Sequence, residues 1–316
     1  MKTHATLSRR RFAQATVAGA ASLAATSLLP TLSSAAEPAD SSGWIDAHVH
    51  VWHPDTVKYP IGPRFKQADM QPPSFTADEL FAHCRPVGVD RIVLIQMSFY
   101  EHDHTYMTEV MQAYPGVFSG VALIDYRAEN LAEQVDQLAS QGVRGFRLDS
   151  QDIIAGIDDP GMAMLWSQAA KDGLAICPLI NPADIHHVDA LCQRFPDTTV
   201  VVDHFARVGV SGTIQAGPLD ALCGLAKHRQ AHVKTSAFYA LGKKTPPYKD
   251  LIPMIRKVVD AFGPERLMWA SDCPYQVQGE HDYQSSLALI RDHIDFLSDG
   301  DKRWMLNKTA AKVFFA

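Results

Sequence analysis

An α/β chain folded as a single (β/α)8 TIM barrel is what this sequence predicts, on three observations. Short apolar runs rich in Val, Ile and Leu alternate eight times with longer segments of helical period. Runs such as Ile92-Val93-Leu94-Ile95 and Val200-Val201-Val202 are apolar on both faces, as parallel strands are when helices cover one side and a barrel interior the other. About 280 residues remain after an N-terminal leader, close to the ~250 typical of such a barrel. A doubly wound open sheet is the competing architecture. The strand count and the lack of a Gly-rich phosphate loop after the first strand weigh against it.

The leader reads as an export signal. Ser8-Arg9-Arg10-Arg11-Phe12 precedes an Ala-rich run from Ala15 to Leu29, and Ser34-Ala35-Ala36 offers the small residues a signal peptidase needs. Residues 1–36 are therefore expected to be a cleavable twin-arginine signal, 37–43 a polar linker and 44–316 the barrel. Periplasmic location follows, with the twin-arginine export machinery as a partner. The apolar run is about 15 residues, short of the ~20 a span requires, so stable membrane association is not expected. Without the leader, 25 basic side chains face 35 acidic ones, a formal charge of −10 that disfavours nucleic acid as a partner. Five cysteines, Cys84, Cys177, Cys192, Cys223 and Cys273, show no C-x-x-C spacing. At least four read as small buried hydrophobes; an oxidising compartment permits one or two disulfides, whose pairing stays open.

The strands are expected, in order, at Trp44–Val51, Arg91–Met97, Val117–Asp125, Val143–Asp149, Leu174–Ile180, Thr198–His204, His232–Ala237 and Arg266–Asp272. Amphipathic helices are expected between them, for example over 128–141, 161–172 and 248–262, with Gly142 and Gly173 as stops. Barrel chemistry belongs at the C-terminal ends of strands. There the chain places His48 and His50, Gln96 and Ser98, Asp125, Arg147 and Asp149, Asn181, Asp203 and His204, Lys234 and Ser236, and finally Ser271 and Asp272.

His48 and His50, two apart on a strand, share a face and can converge on one metal ion or one substrate carbonyl, with Asp272 closing the site. A lone His on an apolar strand is more often a core residue, but two beside Asp46 have no packing advantage over Val or Leu. Arg147 either clamps a substrate carboxylate or braces Asp149, two residues away. Arg207 faces a similar choice. In Glu101-His102-Asp103-His104, Asp103 reads as a helix cap, and the histidines either line the mouth or do not. His186-His187 read as a solvated helix face. Tyr239 and Tyr275 either reach the pocket as hydroxyl donors or pack the rim.

Asp46-Ala47-His48-Val49-His50-Val51-Trp52, Gly145-Phe146-Arg147, Val202-Asp203-His204-Phe205-Ala206-Arg207 and Leu267-Met268-Trp269-Ala270-Ser271-Asp272-Cys273-Pro274 resemble, in order and spacing, the amidohydrolase-related proteins of the amidohydrolase superfamily. The nearest branch is the one holding lactonases of pyrone dicarboxylates and of sugar acids. The resemblance runs from Trp44 to the C-terminus. It implies a hydrolase that opens a lactone, with Asp272 as the general base, His48, His50 and His204 facing the substrate carbonyl, Arg147 and Arg207 holding carboxylates, and Ser98 in contact with substrate. The alternative it allows is a metal-dependent decarboxylase. An inert periplasmic binding protein on the same barrel is a more remote reading.

The metal-dependent members have a His at the end of the fifth strand. This chain has Ala175-Ile176-Cys177-Pro178-Leu179-Ile180-Asn181 there. His48, His50 and Asp272, with His204 as a further candidate, could still hold a divalent ion such as zinc with an open position. The first expectation is that no metal is required, since neutral imidazoles and an ionised Asp suffice for a lactone carbonyl.

Overall fold

The computed structural model describes residues 43–316; the expected export signal and nearly all of the expected linker lie outside the described residues. Eight parallel strands pair in chain order: β1 (Trp44–Val49), β2 (Val89–Ile95), β3 (Phe118–Leu123), β4 (Val143–Asp149), β5 (Ala175–Leu179), β6 (Thr199–Val202), β7 (Ala231–Ser236) and β8 (Leu267–Ala270). Each is followed by at least one helix: α1 (Ala77–Cys84), α2 (Thr105–Ala113), α3 (Leu131–Ser140), α4 (Ser150–Gly156) with α5 (Pro160–Asp172), α6 (Ile185–Arg194), α7 (Ala216–Gly224), α8 (Ile252–Phe262), and α9 (Tyr283–Asp292), α10 (Asp299–Arg303) and α11 (Thr309–Phe314). This is the expected succession of β-α units. Gly173 caps α5 in the left-handed region and Gly142, also at positive φ, ends the turn after α3.

The sheet closes between its first and last strands at their C-terminal ends. Val49 bridges Cys273 in parallel, Asp272 N–H donates to the His48 carbonyl at 2.9 Å, and His50 N–H donates to the Cys273 carbonyl at 2.8 Å. Asp46 latches this seam from the helix side. Its carboxylate accepts from Ser271 N–H at 2.9 Å, His48 N–H at 3.1 Å and the Tyr283 hydroxyl at 2.5 Å. Burial pushes its carboxyl up to about 6, with the hydrogen bonds from Ser271 and Tyr283 opposing that rise. Tyr283→Phe strips one donor from a fully buried carboxylate and should cost about 1–3 kcal/mol in urea unfolding, the usual penalty for such an orphaned acceptor. A loss within error of zero would show that Tyr283 does not hold the seam.

The barrel interior is filled by Ile45, Ala47, Val93, Ile95, Val121, Val201 and Met268, and Ala310 and Phe314 of α11 pack against this set. A second, larger apolar layer lies between strands and helices. All five cysteines are free, four of them buried, so the small-hydrophobe reading holds and no disulfide is present. Among the described residues no helix is long and apolar enough to cross a membrane.

Strand β4 has its expected bounds, but the runs expected at 198–204 and 266–272 stop early, at Val202 and Ala270. The cause is backbone hand. His204, Phe205, Ala206 and Arg207 all have φ of 50–58°, and Asp272 has φ 67°. Side chains with a Cβ seldom adopt that region, so residue type gave no warning.

Candidate active site

The left-handed turns build the site. Five residues from Asp203 to Arg207 form a 3-10 turn, in which residues three apart eclipse, so His204 and Arg207 face the same cavity. At Asp272 the chain leaves β8 in the left-handed region, and its carboxylate meets the imidazoles of β1. Strain of this kind concentrates at functional sites.

Asp272 Oδ1 lies 3.4 Å from His48 Nε2 and 3.5 Å from His50 Nε2, and Oδ2 lies 3.7 Å from His204 Nε2. The Tyr239 hydroxyl donates to Oδ2 at 2.6 Å. The expected set of Asp272, His48, His50 and His204 is therefore one cluster. Burial alone would raise the Asp272 carboxyl. The surrounding imidazoles of His204, His50 and His48 outweigh it and hold the group below the usual carboxylate range. Burial pushes the His204 imidazole down, and burial followed by the Lys234 charge pushes His48 well down, so both are neutral near pH 7. The Ser236 hydroxyl meets His204 Nδ1 at 2.8 Å. With Ser236 donating, the His204 proton sits on Nε2, toward Asp272 and the cavity.

The cavity measures about 460 Å³ and is lined by His50, His204, Asp272, Arg147, Arg207, Ser98 and both Tyr239 and Tyr275. Both tyrosines thus reach the pocket. Arg207 is steadied by Asn181, which accepts from Nη1 at 3.1 Å. The end of the fifth strand, which has Asn181 in place of the His of the metal-dependent members, thus supports Arg207. A second cavity of about 420 Å³ adjoins the first through Ser98 and Arg147. His102 lines it. His104 turns into the protein, where burial pushes its imidazole down to about 4.

Other expectations resolve differently. Arg147 does not brace Asp149, whose carboxylate caps α4 by accepting from Gln151 and Asp152 N–H groups. The Arg147 Nε lies 3.5 Å from Asp203 Oδ2, so the bracing carboxylate comes from the turn after β6. Asp103 accepts from Thr105 N–H at 3.0 Å, which places its capping one residue before the formal cap, His104. His186 and His187 lie on α6 with rings 3.9 Å apart, on the helix face away from buried Ile185, Val188 and Leu191.

The sequence reading assigned no role to Asp203 or Lys234. Both are fully buried, with Lys234 Nζ 2.9 Å from Asp203 Oδ1 and 3.2 Å from His48 Nδ1. Burial would raise the Asp203 carboxyl, but Lys234, His48 and Arg147 hold it well below the ordinary value. A usable signal existed: His232, Lys234 and Ser236 share one face of a short strand, and a Lys facing a barrel interior demands a buried acid.

His48, His50 and Asp272 form a cluster of the kind that holds a metal ion. The three donor atoms stand 3.2, 3.4 and 3.5 Å apart. Ligands of a tetrahedral zinc at ~2.0–2.2 Å stand about 3.3–3.6 Å apart, so the spacing fits. His50 donates Nδ1–H to the Ile95 carbonyl at 2.9 Å, as a ligating imidazole does, whereas His48 Nδ1 faces an ammonium, Lys234 Nζ at 3.2 Å, as well as Asp203 Oδ1 at 3.4 Å, which does not suit a ligand.

Comparison with known proteins agrees with this architecture. L-fucono-1,5-lactonase of Burkholderia ambifaria is 29% identical over 276 residues, covering 82% of this chain and 90% of that protein. The 2-pyrone-4,6-dicarboxylate hydrolase of Comamonas testosteroni is 27% identical over 250 residues, 76% of this chain and 79% of its own. A crystal structure of an amidohydrolase from Burkholderia multivorans with bound zinc superposes with a TM-score of 0.72 at 22% identity, covering 86% of this chain and 99% of that one. Residues 45–316, from β1 to the C-terminus, match the amidohydrolase family, and the chain belongs to it.

Proposed function

We propose that the protein hydrolyses a lactone of a small carboxylated or polyhydroxylated compound. The observation that carries this reading is the Asp272 carboxylate, kept ionised and ringed by three imidazoles at the floor of a cavity that also holds two arginines. Asp272 takes a proton from water, and the water oxygen attacks the lactone carbonyl carbon. The Nε2–H group of His204 at the cavity wall stabilises the oxygen that becomes negative, while His48 lies behind, against His50 and Asp272. The ring C–O bond then breaks, and the departing oxygen takes the proton from Asp272. Arg147 and Arg207 orient anionic groups of the substrate, with Ser98 at the cavity rim. Two relatives bear the names of lactone-opening enzymes, which supports the same reading.

A divalent ion, if bound by His50 and Asp272, would supply Lewis acidity to the carbonyl. The hydrolysis above uses none. The competing reading, a metal-dependent decarboxylase, draws support from the size of the donor triangle alone, and carbon dioxide release by metal-loaded protein would favour it. Export to the periplasm as a folded protein is proposed on the leader Ser8-Arg9-Arg10-Arg11-Phe12.

The test is a panel of neutral and carboxylated lactones followed by proton release. Turnover of at least one class is expected, and none at all would overturn the proposal. If a carboxylated member is the substrate, Arg207→Ala should raise its KM ~10–100-fold with kcat little changed, as loss of one charge-assisted contact of about 1.5–3 kcal/mol implies. Equal effects on neutral lactones would show that Arg207 shapes the pocket without reading charge.

A further inference from the structure

Lys234 has no part in the hydrolysis just described, yet it lies against the first residue of the His-x-His pair. Its Nζ is fully buried between Asp203 Oδ1 at 2.9 Å and His48 Nδ1 at 3.2 Å. An ammonium has three donors and no acceptor. A proton on His48 Nδ1 would point at a proton on Nζ, so Nδ1 carries the lone pair and the imidazole proton sits on Nε2. The chain then continues without a gap. His48 Nε2–H faces His50 Nε2 at 3.2 Å, and His50 Nδ1–H donates to the Ile95 carbonyl at 2.9 Å.

We propose that Lys234 is a positioning residue that excludes divalent metal from the His48, His50 and Asp272 triangle, by holding His48 in the tautomer whose Nε2 bears a proton. A metal-ligating imidazole offers one lone pair and gives its other N–H to a carboxylate or carbonyl. His50 meets both conditions through Ile95. His48 Nδ1 also has Asp203 Oδ1 at 3.4 Å, but Lys234 Nζ is nearer at 3.2 Å and, as a donor only, calls for the lone pair there. The ammonium also adds a fixed positive charge beside a cation seat, in a water-poor interior where such repulsion is weakly screened. His48 is thereby made a hydrogen-bond donor, and the triangle is a metal site by distance but not by protonation.

The experiment titrates cobalt(II) chloride into chelator-stripped protein and reads visible absorption, for wild type, Lys234→Gln and Lys234→Arg. The glutamine amide oxygen can accept from His48 Nδ1–H, whereas arginine remains donor-only. Lys234→Gln should bind cobalt ~10–100-fold more tightly than wild type, the usual size of an outer-sphere effect on metal affinity, and Lys234→Arg should stay as weak as wild type. Equal affinity in wild type and Lys234→Gln, whether tight or absent, overturns the proposal. Nitrogen-15 NMR of histidine-labelled wild type supplies a readout that needs no variant to fold. A proton on His48 Nε2 is expected, and a proton on Nδ1 overturns the assignment. Neither measurement involves turnover, so the outcome is separate from that of the lactone panel.

Discussion

Asp272→Asn should lower kcat by ~10³–10⁴-fold and leave the affinity for a carboxylated product within a few-fold of wild type, since a positioned general base contributes on that order to a chemical step. Asparagine keeps the shape and can still accept from Tyr239, which meets Oδ2 at 2.6 Å, but it cannot take a proton from water. The pH profile checks the same assignment. A base works in its ionised form, and Asp272 is held below the ordinary carboxylate value of 3.8 by His204, His50 and His48 against the opposing effect of burial. The acidic limb of kcat/KM should therefore lie below the usual carboxylate range, with activity unchanged through pH 5. A limb in the imidazole range that moves in His204→Gln would make His204 the base and Asp272 its support.

The second large effect is on stability. Asp203→Ala leaves Lys234 without its 2.9 Å partner in a fully buried position and should cost about 3–5 kcal/mol, the range for breaking a buried ion pair by removing one side. Asp149→Ala, two residues after Arg147, removes only an exposed helix cap and should cost about 1 kcal/mol in the same urea titration. The double variant Lys234→Met/Asp203→Leu should recover stability relative to Asp203→Ala, because the Lys234 ammonium is then no longer buried without its partner. If Asp203→Ala proved as mild as Asp149→Ala, the ion pair would have no structural weight.

Much of this was legible in residue order. Doubly apolar runs such as Ile92-Val93-Leu94-Ile95 report a strand covered on both faces, and β4 appears where the pattern places it. The rule that barrel chemistry collects at strand ends brought out His48, His50, His204 and Asp272, which the structure joins within 3.7 Å. It also brought out Arg147 and Ser98, which line one cavity with Arg207, a residue the family resemblance marked. Gly142 and Gly173 were readable because glycine marks a left-handed position by its type.

What stayed hidden has one physical origin. The turn from His204 to Arg207 is left-handed in residues with no preference for that hand, so only surrounding contacts can impose it. Likewise, Arg147 had a sequence neighbour to brace in Asp149, yet its carboxylate partner is Asp203, in the turn after β6. Residue order was enough for the barrel and for the strand ends where the polar residues collect, and the family resemblance added the candidate base. Tertiary structure alone decided the seam through Asp46, the burial of Lys234 against Asp203, and the tautomer of His48. Each of those depends on which distant groups share a water-poor interior, where the nearest charge or donor sets protonation, and local residue order does not encode that proximity.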